Sequence, residues 1–207
     1  MKKFLIFAIT AVAFCFAGFL YFFPADVTVE NLVFKMGGKV SSVKGNGFSI
    51  SLNDVEFKGL KIDSVTVENK ILSVVLRFDN DSFSTFSFLD RKLSVNLNRL
   101  PFIFDNGQVR GTGDLTCKGV VSVETLKGNL EGQIKVLKGY YNGISIGSIS
   151  GKFQYKDGKV KASFESSIFK GNLDGEIKKD KAGVVFKGVF RGSVAGSRVV
   201  ERISFRM

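Results

Sequence analysis

Apolar and polar positions alternate along most of the chain beyond residue 47. Phe48, Ile50 and Leu52 are interleaved with Ser49 and Ser51, and Val55 and Phe57 with Glu56 and Lys58. Leu60 and Ile62 alternate with Lys61 and Asp63, then Val65 and Val67 with Thr66 and Glu68. The pattern returns at Phe153 and Tyr155 and continues through Val160, Ala162 and Phe164. A period of two places every second side chain on one face of a strand, so these runs predict a half-buried antiparallel sheet with one apolar and one polar face. Asp157-Gly158 predicts a two-residue hairpin turn, and Asn46-Gly47, Asn106-Gly107 and Asn142-Gly143 are further turn candidates. Pro24 and Pro101 are the only prolines, and neither interrupts a clear strand.

Two earlier segments follow other rules. Lys2 and Lys3 precede an uncharged apolar run from Phe4 to Phe23 whose only polar members are Thr10 and Tyr21. At about 1.5 Å per residue this run reaches roughly 30 Å, the thickness of a bilayer's hydrocarbon core. It predicts a transmembrane anchor over 1–23, with the lysine end in the cytoplasm and residues 24–207 exported as one domain. A cleaved signal peptide fits less well, because Phe22, Phe23 and Pro24 are bulky and Ala11–Ala13 lies in mid-run. Phe14 before Cys15 also disfavours a lipoprotein. Val29, Leu32, Val33 and Met36 then fall on one helical face, with Asp26 or Thr28 as the cap and Gly37-Gly38 as the stop.

Composition narrows the chemistry. The chain has 207 residues, with 22 Phe and 23 Gly but no His or Trp. Phe suits a pleated surface and Gly suits tight turns. Without His, a Ser-His-Asp triad is impossible and a common zinc site is excluded. Cys15 and Cys117 cannot meet if one lies in a membrane, so no disulfide is expected. The Gly-rich stretches do not join a strand to a helix, so they are not phosphate loops. Asp79 and Asp81 flank Asn80 without the glycine and distal glutamate of a calcium loop, and read as a solvated turn. An enzyme is therefore not expected, nor is any cofactor or metal.

Charge is uneven. Residues 24–105 hold ten basic and ten acidic side chains, whereas residues 106–207 hold eighteen and nine. Lysines on the wet face of strands account for much of that excess, and an acidic partner or anionic headgroups are the functional reading. Nucleic acid is not an expected partner of an exported, tethered domain. The segment Lys127–Lys135 recurs as Lys170–Lys178, which predicts a sheet built from repeated strand units. Such a sheet curls by its own twist, into an open groove or a jellyroll- or barrel-like closure. Phe48, Ile50, Phe153, Tyr155, Phe164 and Phe186 would line its apolar face, either as core or as a lipid-facing surface.

Several of these features resemble a family. They are the single anchor, the short helix ending in Gly-Gly, the V-x-F-x-G-L pattern of Val55–Leu60, the G-N-L-x-G-x-I repeats, and the run from Gly151 to Val160. Together they resemble the AsmA/TamB-like envelope proteins and, at this length, the protein N family of type II secretion. The resemblance implies a bacterial inner-membrane protein with a periplasmic β-rich domain and no catalytic residues. It would serve either as a structural subunit of a secretion complex or as a lipid-handling module similar to the jellyroll of lipopolysaccharide export. The first reading predicts secretion-complex or envelope proteins bound by strand addition at the sheet edges; the second predicts bound acyl chains.

Overall fold

The structure is a computed structural model that describes residues 25–206, apart from positions 36, 58, 79, 106, 142, 181, 182, 195 and 196. The expected anchor over 1–23 lies outside the described residues, as do Met36, Asp79, Asn106 and Asn142. No helix among the described residues is long and apolar enough to cross a membrane.

Helix α1 spans Ala25–Lys35. It begins earlier than the sequence suggests, so Thr28 sits inside the helix and does not cap it. Val29 and Val33, one turn apart, are half-buried, and Val33 packs close to Gly38. Leu32 is 56 % exposed, which corrects its expected place on the buried face. Gly37 adopts a φ of +79°, and its N–H bonds back to the Phe34 carbonyl at 2.9 Å, closing the last turn as expected.

The remainder is β-structure. The first seven strands are β1 (Gly38–Lys39), β2 (Ser42–Gly45), β3 (Ser49–Phe57), β4 (Leu60–Lys70), β5 (Ser73–Phe78), β6 (Phe83–Ser87) and β7 (Lys92–Asp105). Seven more follow as β8 (Val109–Ser122), β9 (Gly128–Tyr141), β10 (Ile144–Lys156), β11 (Lys159–Ser166), β12 (Phe169–Asp180), β13 (Gly183–Val194) and β14 (Ser197–Arg206). All fourteen belong to one sheet, and from β3 onward each strand pairs with its successor in sequence. Every pairing is antiparallel. The order is a meander, not a jellyroll, and among the described residues β14 pairs with β13 alone, so no barrel closes.

One dislocation interrupts the meander. β5 and β6 are short, and beyond their far end β4 pairs directly with β7, Leu60 with Phe104 and Lys61 with Ile103. The β5–β6 loop is held in the gap. Ser82, only 1 % exposed, accepts the Asn98 N–H at 2.8 Å, and the Asn80 amide donates to the Arg99 carbonyl. Asn80, Asp81 and Arg99 all carry left-handed φ values, which a short polar side chain tolerates best. At its described residues the expected solvated turn is observed, Asn80 and Asp81 being exposed, while Ser82 beside them is the buried plug of the gap.

The sequence alternation breaks between Leu52 and Val55, and again between Ile62 and Val65. Asp54 takes a left-handed φ of +50° at this point, but the β3–β4 register stays unbroken across it, Asn53 facing Ser64 and Val55 facing Ile62, so both strands change phase together. β7 does carry an extra residue between Leu97 and Leu100, where its register against β8 shifts by one. Extra residues of this kind re-phase a strand so that apolar side chains stay on one face. The Asp157-Gly158 turn forms as expected, with both residues at positive φ. The 43-residue repeat does not mark a repeated hairpin. Its copies lie in β9 and β12, three antiparallel steps apart, so they run in opposite directions. What repeats is the face pattern of one strand.

Candidate functional site

Directly opposed residues of an antiparallel pair share a face, so the registers trace rows across the sheet. One row joins Ile50, Val67, Leu76 and Ser84, then Val95, Gly119 and Leu130, then Tyr155 and Val160, and ends at Ile203. The adjacent row joins Leu97, Cys117, Gly132, Phe153, Ala162, Leu173 and Phe190. A third runs through Leu100, Leu115, Ile134, Gly151 and Phe164. The face is mainly apolar from β3 to β14, with Ser84 and Glu201 as polar members of its rows. The opposite face carries Lys118, Glu131, Gln154, Lys161 and Asp174 in one register row.

Five of the six candidate residues lie on this apolar face. Ile50, Phe153 and Phe164 are half-buried, Tyr155 is 7 % exposed and Phe186 is 5 % exposed. Phe48 lies outside β3, in the loop from β2, where Asn46 accepts its N–H at 3.0 Å. The Tyr155 hydroxyl donates to the Leu126 carbonyl in the β8–β9 loop, and burial pushes its pKa up.

The phenylalanines on this face sit over glycines. Phe104 faces Gly111, Phe102 faces Gly113, Phe153 faces Gly132 and Phe164 faces Gly151, each pair directly opposed. A Cβ added at any of those glycines would lie 2.5–2.9 Å from a carbon of the facing ring. Phe186 likewise covers Gly175 and Gly188, and Phe190 covers Gly171 and Gly192. Each ring therefore lies down on its neighbour's bare backbone instead of standing up from the sheet. This is how residues such as Phe186 and Phe102 become buried on a face that receives no helix. The only described helix, α1, packs against β1 and β2 at one end of the sheet. Phe and Gly abundance was legible as composition; the pairing of one with the other across strands was not, because it depends on register.

No reactive centre emerges. Cys117 is buried on the apolar face with its thiol pKa raised by burial, so it stays protonated at neutral pH. No cluster of three or more potential metal ligands occurs among the described residues. A hollow of about 660 Å³ lies against the polar face over β8–β12, lined in part by Lys118, Glu131, Lys152, Lys161 and Asp174. Among the described hydrogen bonds and ion pairs, none joins two of those five side chains into an acid–base couple. Reasoning from sequence missed the exposed apolar hairpin tips: Ile71 is 96 % and Leu89 75 % exposed. An apolar pair at a turn lacks the Gly, Asn or Asp signal by which turns are read.

Comparison with family models, with curated proteins and with solved structures finds no match.

Proposed function

We propose that this chain is a non-enzymatic, membrane-anchored component of a bacterial envelope-transport or secretion system, with its sheet in the periplasm and the apolar sheet face as its working surface. That surface receives lipid acyl chains. The observation that carries the reading is the apolar face itself, continuous across an open sheet and left uncovered by the one described helix. A sheet of this kind ordinarily buries its apolar side under a second layer. Here the rings of Phe153 and Phe164 lie on glycines, so the face is low and greasy with few projecting side chains. Acyl chains suit such a floor, since they need apolar contact and no hydrogen-bond partner. The Phe4–Phe23 run and the resemblance to AsmA/TamB-like and type II secretion N proteins supply the anchor and the compartment.

Mass spectrometry of the full chain, extracted in a mild detergent, tests this. Stoichiometric phospholipid or lipopolysaccharide acyl chains are expected with the natural sequence, and depleted with Phe153→Asp or Phe164→Asp. A chain that emerges lipid-free under native extraction, from cells in which it is properly inserted, refutes the reading.

A further inference from the structure

Four connections at one end of the sheet carry apolar side chains where turns ordinarily carry polar ones. Phe48 closes the β2–β3 loop, Ile71 and Leu72 form the β4–β5 turn, Phe88 and Leu89 open the β6–β7 loop, and Val123 opens the β8–β9 loop. All six side chains are exposed, Ile71 by 96 %, so nothing within the fold is packed by it. Backbone hydrogen bonds join the tips edge to edge. The Asn69 N–H donates to the Phe48 carbonyl at 2.7 Å, the Phe88 N–H to the Leu72 carbonyl at 3.0 Å, and the Val123 N–H to the Arg91 carbonyl at 2.9 Å. Phe88 is held edge-on against Phe86, with ring centroids 5.4 Å apart. Single exposed apolar residues are ordinary on a protein surface, whereas a contiguous ridge of them marks a surface that meets something.

Basic side chains stand immediately behind the ridge. Lys70 precedes Ile71, Arg91 and Lys92 end the β6–β7 loop, and Lys44 and Lys127 flank the outer tips; all five are exposed. Three carboxylates share that end: Lys70 pairs with Glu68 at 3.8 Å, Arg91 with Glu124 at 3.3 Å and Lys92 with Asp90 at 3.3 Å. Five cations against three carboxylates leave the ridge net positive. Apolar tips that project outward, with cations one layer behind them, match the depth profile of a bilayer surface: acyl chains innermost, anionic phosphates above. The lysine stems lie along apolar surface while their ammonium groups reach the phosphates. A second copy of the chain is a poor occupant, because two ridges meeting tip to tip would bring together the Lys70, Arg91 and Lys92 of both.

We infer that this ridge dips into a bilayer surface that bears anionic headgroups. Ile71, Leu72, Phe88 and Leu89 enter the upper acyl region, and Lys70, Arg91 and Lys92 meet the phosphates. The inference rests on the proposed function only for the Phe4–Phe23 tether, which holds the domain at a membrane and so raises the local concentration of the ridge there.

The chain contains no tryptophan, so one introduced residue reports alone. The test reconstitutes the full chain with Ile71→Trp in vesicles of phosphatidylcholine and phosphatidylglycerol brominated on their acyl chains. The control is Ile144→Trp, exposed at the opposite end of the sheet. Quenching and a blue shift are expected at position 71 and neither at position 144. Lys70→Glu with Lys92→Glu lowers quenching at position 71 by about twofold or more, and omitting phosphatidylglycerol restores it. A misfolded chain cannot give that recovery. Phe153→Asp, which is expected to empty the sheet face of lipid, leaves quenching at position 71 unchanged, and resistance to alkaline extraction reports the tether by itself, so each reading fails separately. An unquenched tryptophan at position 71, equal quenching at both positions, charge reversal without effect in anionic vesicles, or quenching lost in Phe153→Asp would each overturn the inference. Dimerisation in detergent that buries position 71 would assign the ridge to a second copy and overturn it too.

Discussion

Gly175→Ala tests whether the phenylalanine rings of the apolar face lie flat on the glycines of neighbouring strands. An added Cβ would lie 2.6 Å from two carbons of the Phe186 ring, whereas the nearest backbone atom, the Lys187 carbonyl oxygen, is 3.1 Å away. The φ of Gly175 is not in the left-handed region, so alanine meets no backbone penalty. In the absence of the ring, alanine would be favoured over glycine in a strand by about 0.5–1 kcal/mol. With the ring in place, Phe186 must leave a position where it is 5 % exposed, and overpacking of that kind costs about 1–3 kcal/mol. The net effect expected is destabilisation. It should vanish or change sign in a Phe186→Leu background, where the smaller side chain leaves room. The coupling energy between the two sites is then about 1–3 kcal/mol. Urea unfolding followed by far-ultraviolet circular dichroism measures each corner of the cycle, and about 2–4 °C of Tm per kcal/mol gives an independent reading. A Gly175→Ala chain as stable as its parent, or one equally destabilised in the Phe186→Leu background, would refute the idea that the ring lies on that glycine.

Three further outcomes follow from single groups. Ser82→Ala removes the buried hydroxyl that accepts the Asn98 N–H and should cost about 0.5–1.5 kcal/mol in urea unfolding; no loss would mean the β5–β6 loop does not hold the β4–β7 junction together. The Arg77 hydrogen bond holds the Glu68 carboxyl below the usual carboxylate range. Its contribution is present above the unfolded-state pKa and is lost as pH falls through the lowered folded-state value, so Glu68→Gln should flatten the fall in Tm on the acid side of the ordinary carboxylate pKa. An acid limb identical to the parent's would contradict that. Cys117 should resist iodoacetamide at neutral pH in the folded chain and react only after unfolding, as read by peptide mass spectrometry; rapid labelling of the native chain would show that the thiol is not held buried and protonated by its neighbours.

Much of this protein was legible along the chain because strands encode their faces locally. The alternation at Ile50–Leu52, Val65–Val67 and Phe153–Phe164 predicted an antiparallel sheet with one apolar side, and five of the six candidate residues do share that side. Asp157-Gly158 marked its own turn, and Gly37-Gly38 marked the end of the helix, since both rest on backbone conformations that few residues adopt. The helix face was read less well. Leu32 has the helical spacing of a buried residue, but α1 packs mainly on two short strands, so Val29 and Val33 are half-buried and Leu32 is left in solvent.

What tertiary structure alone decided depends on register and on the order of strands. Periodicity says nothing about which strand lies beside which, so the direct β4–β7 pairing, the plug at Ser82 and the opposite directions of the repeat copies in β9 and β12 had no signal in the sequence. The choice among groove, jellyroll and barrel was equally open, because closure is a relation between the first and last strands. The placing of each phenylalanine over a particular glycine follows from hydrogen-bond registers between strands up to tens of residues apart. Side-chain alternation fixes the face on which a residue sits; only the assembled sheet determines what that residue touches there.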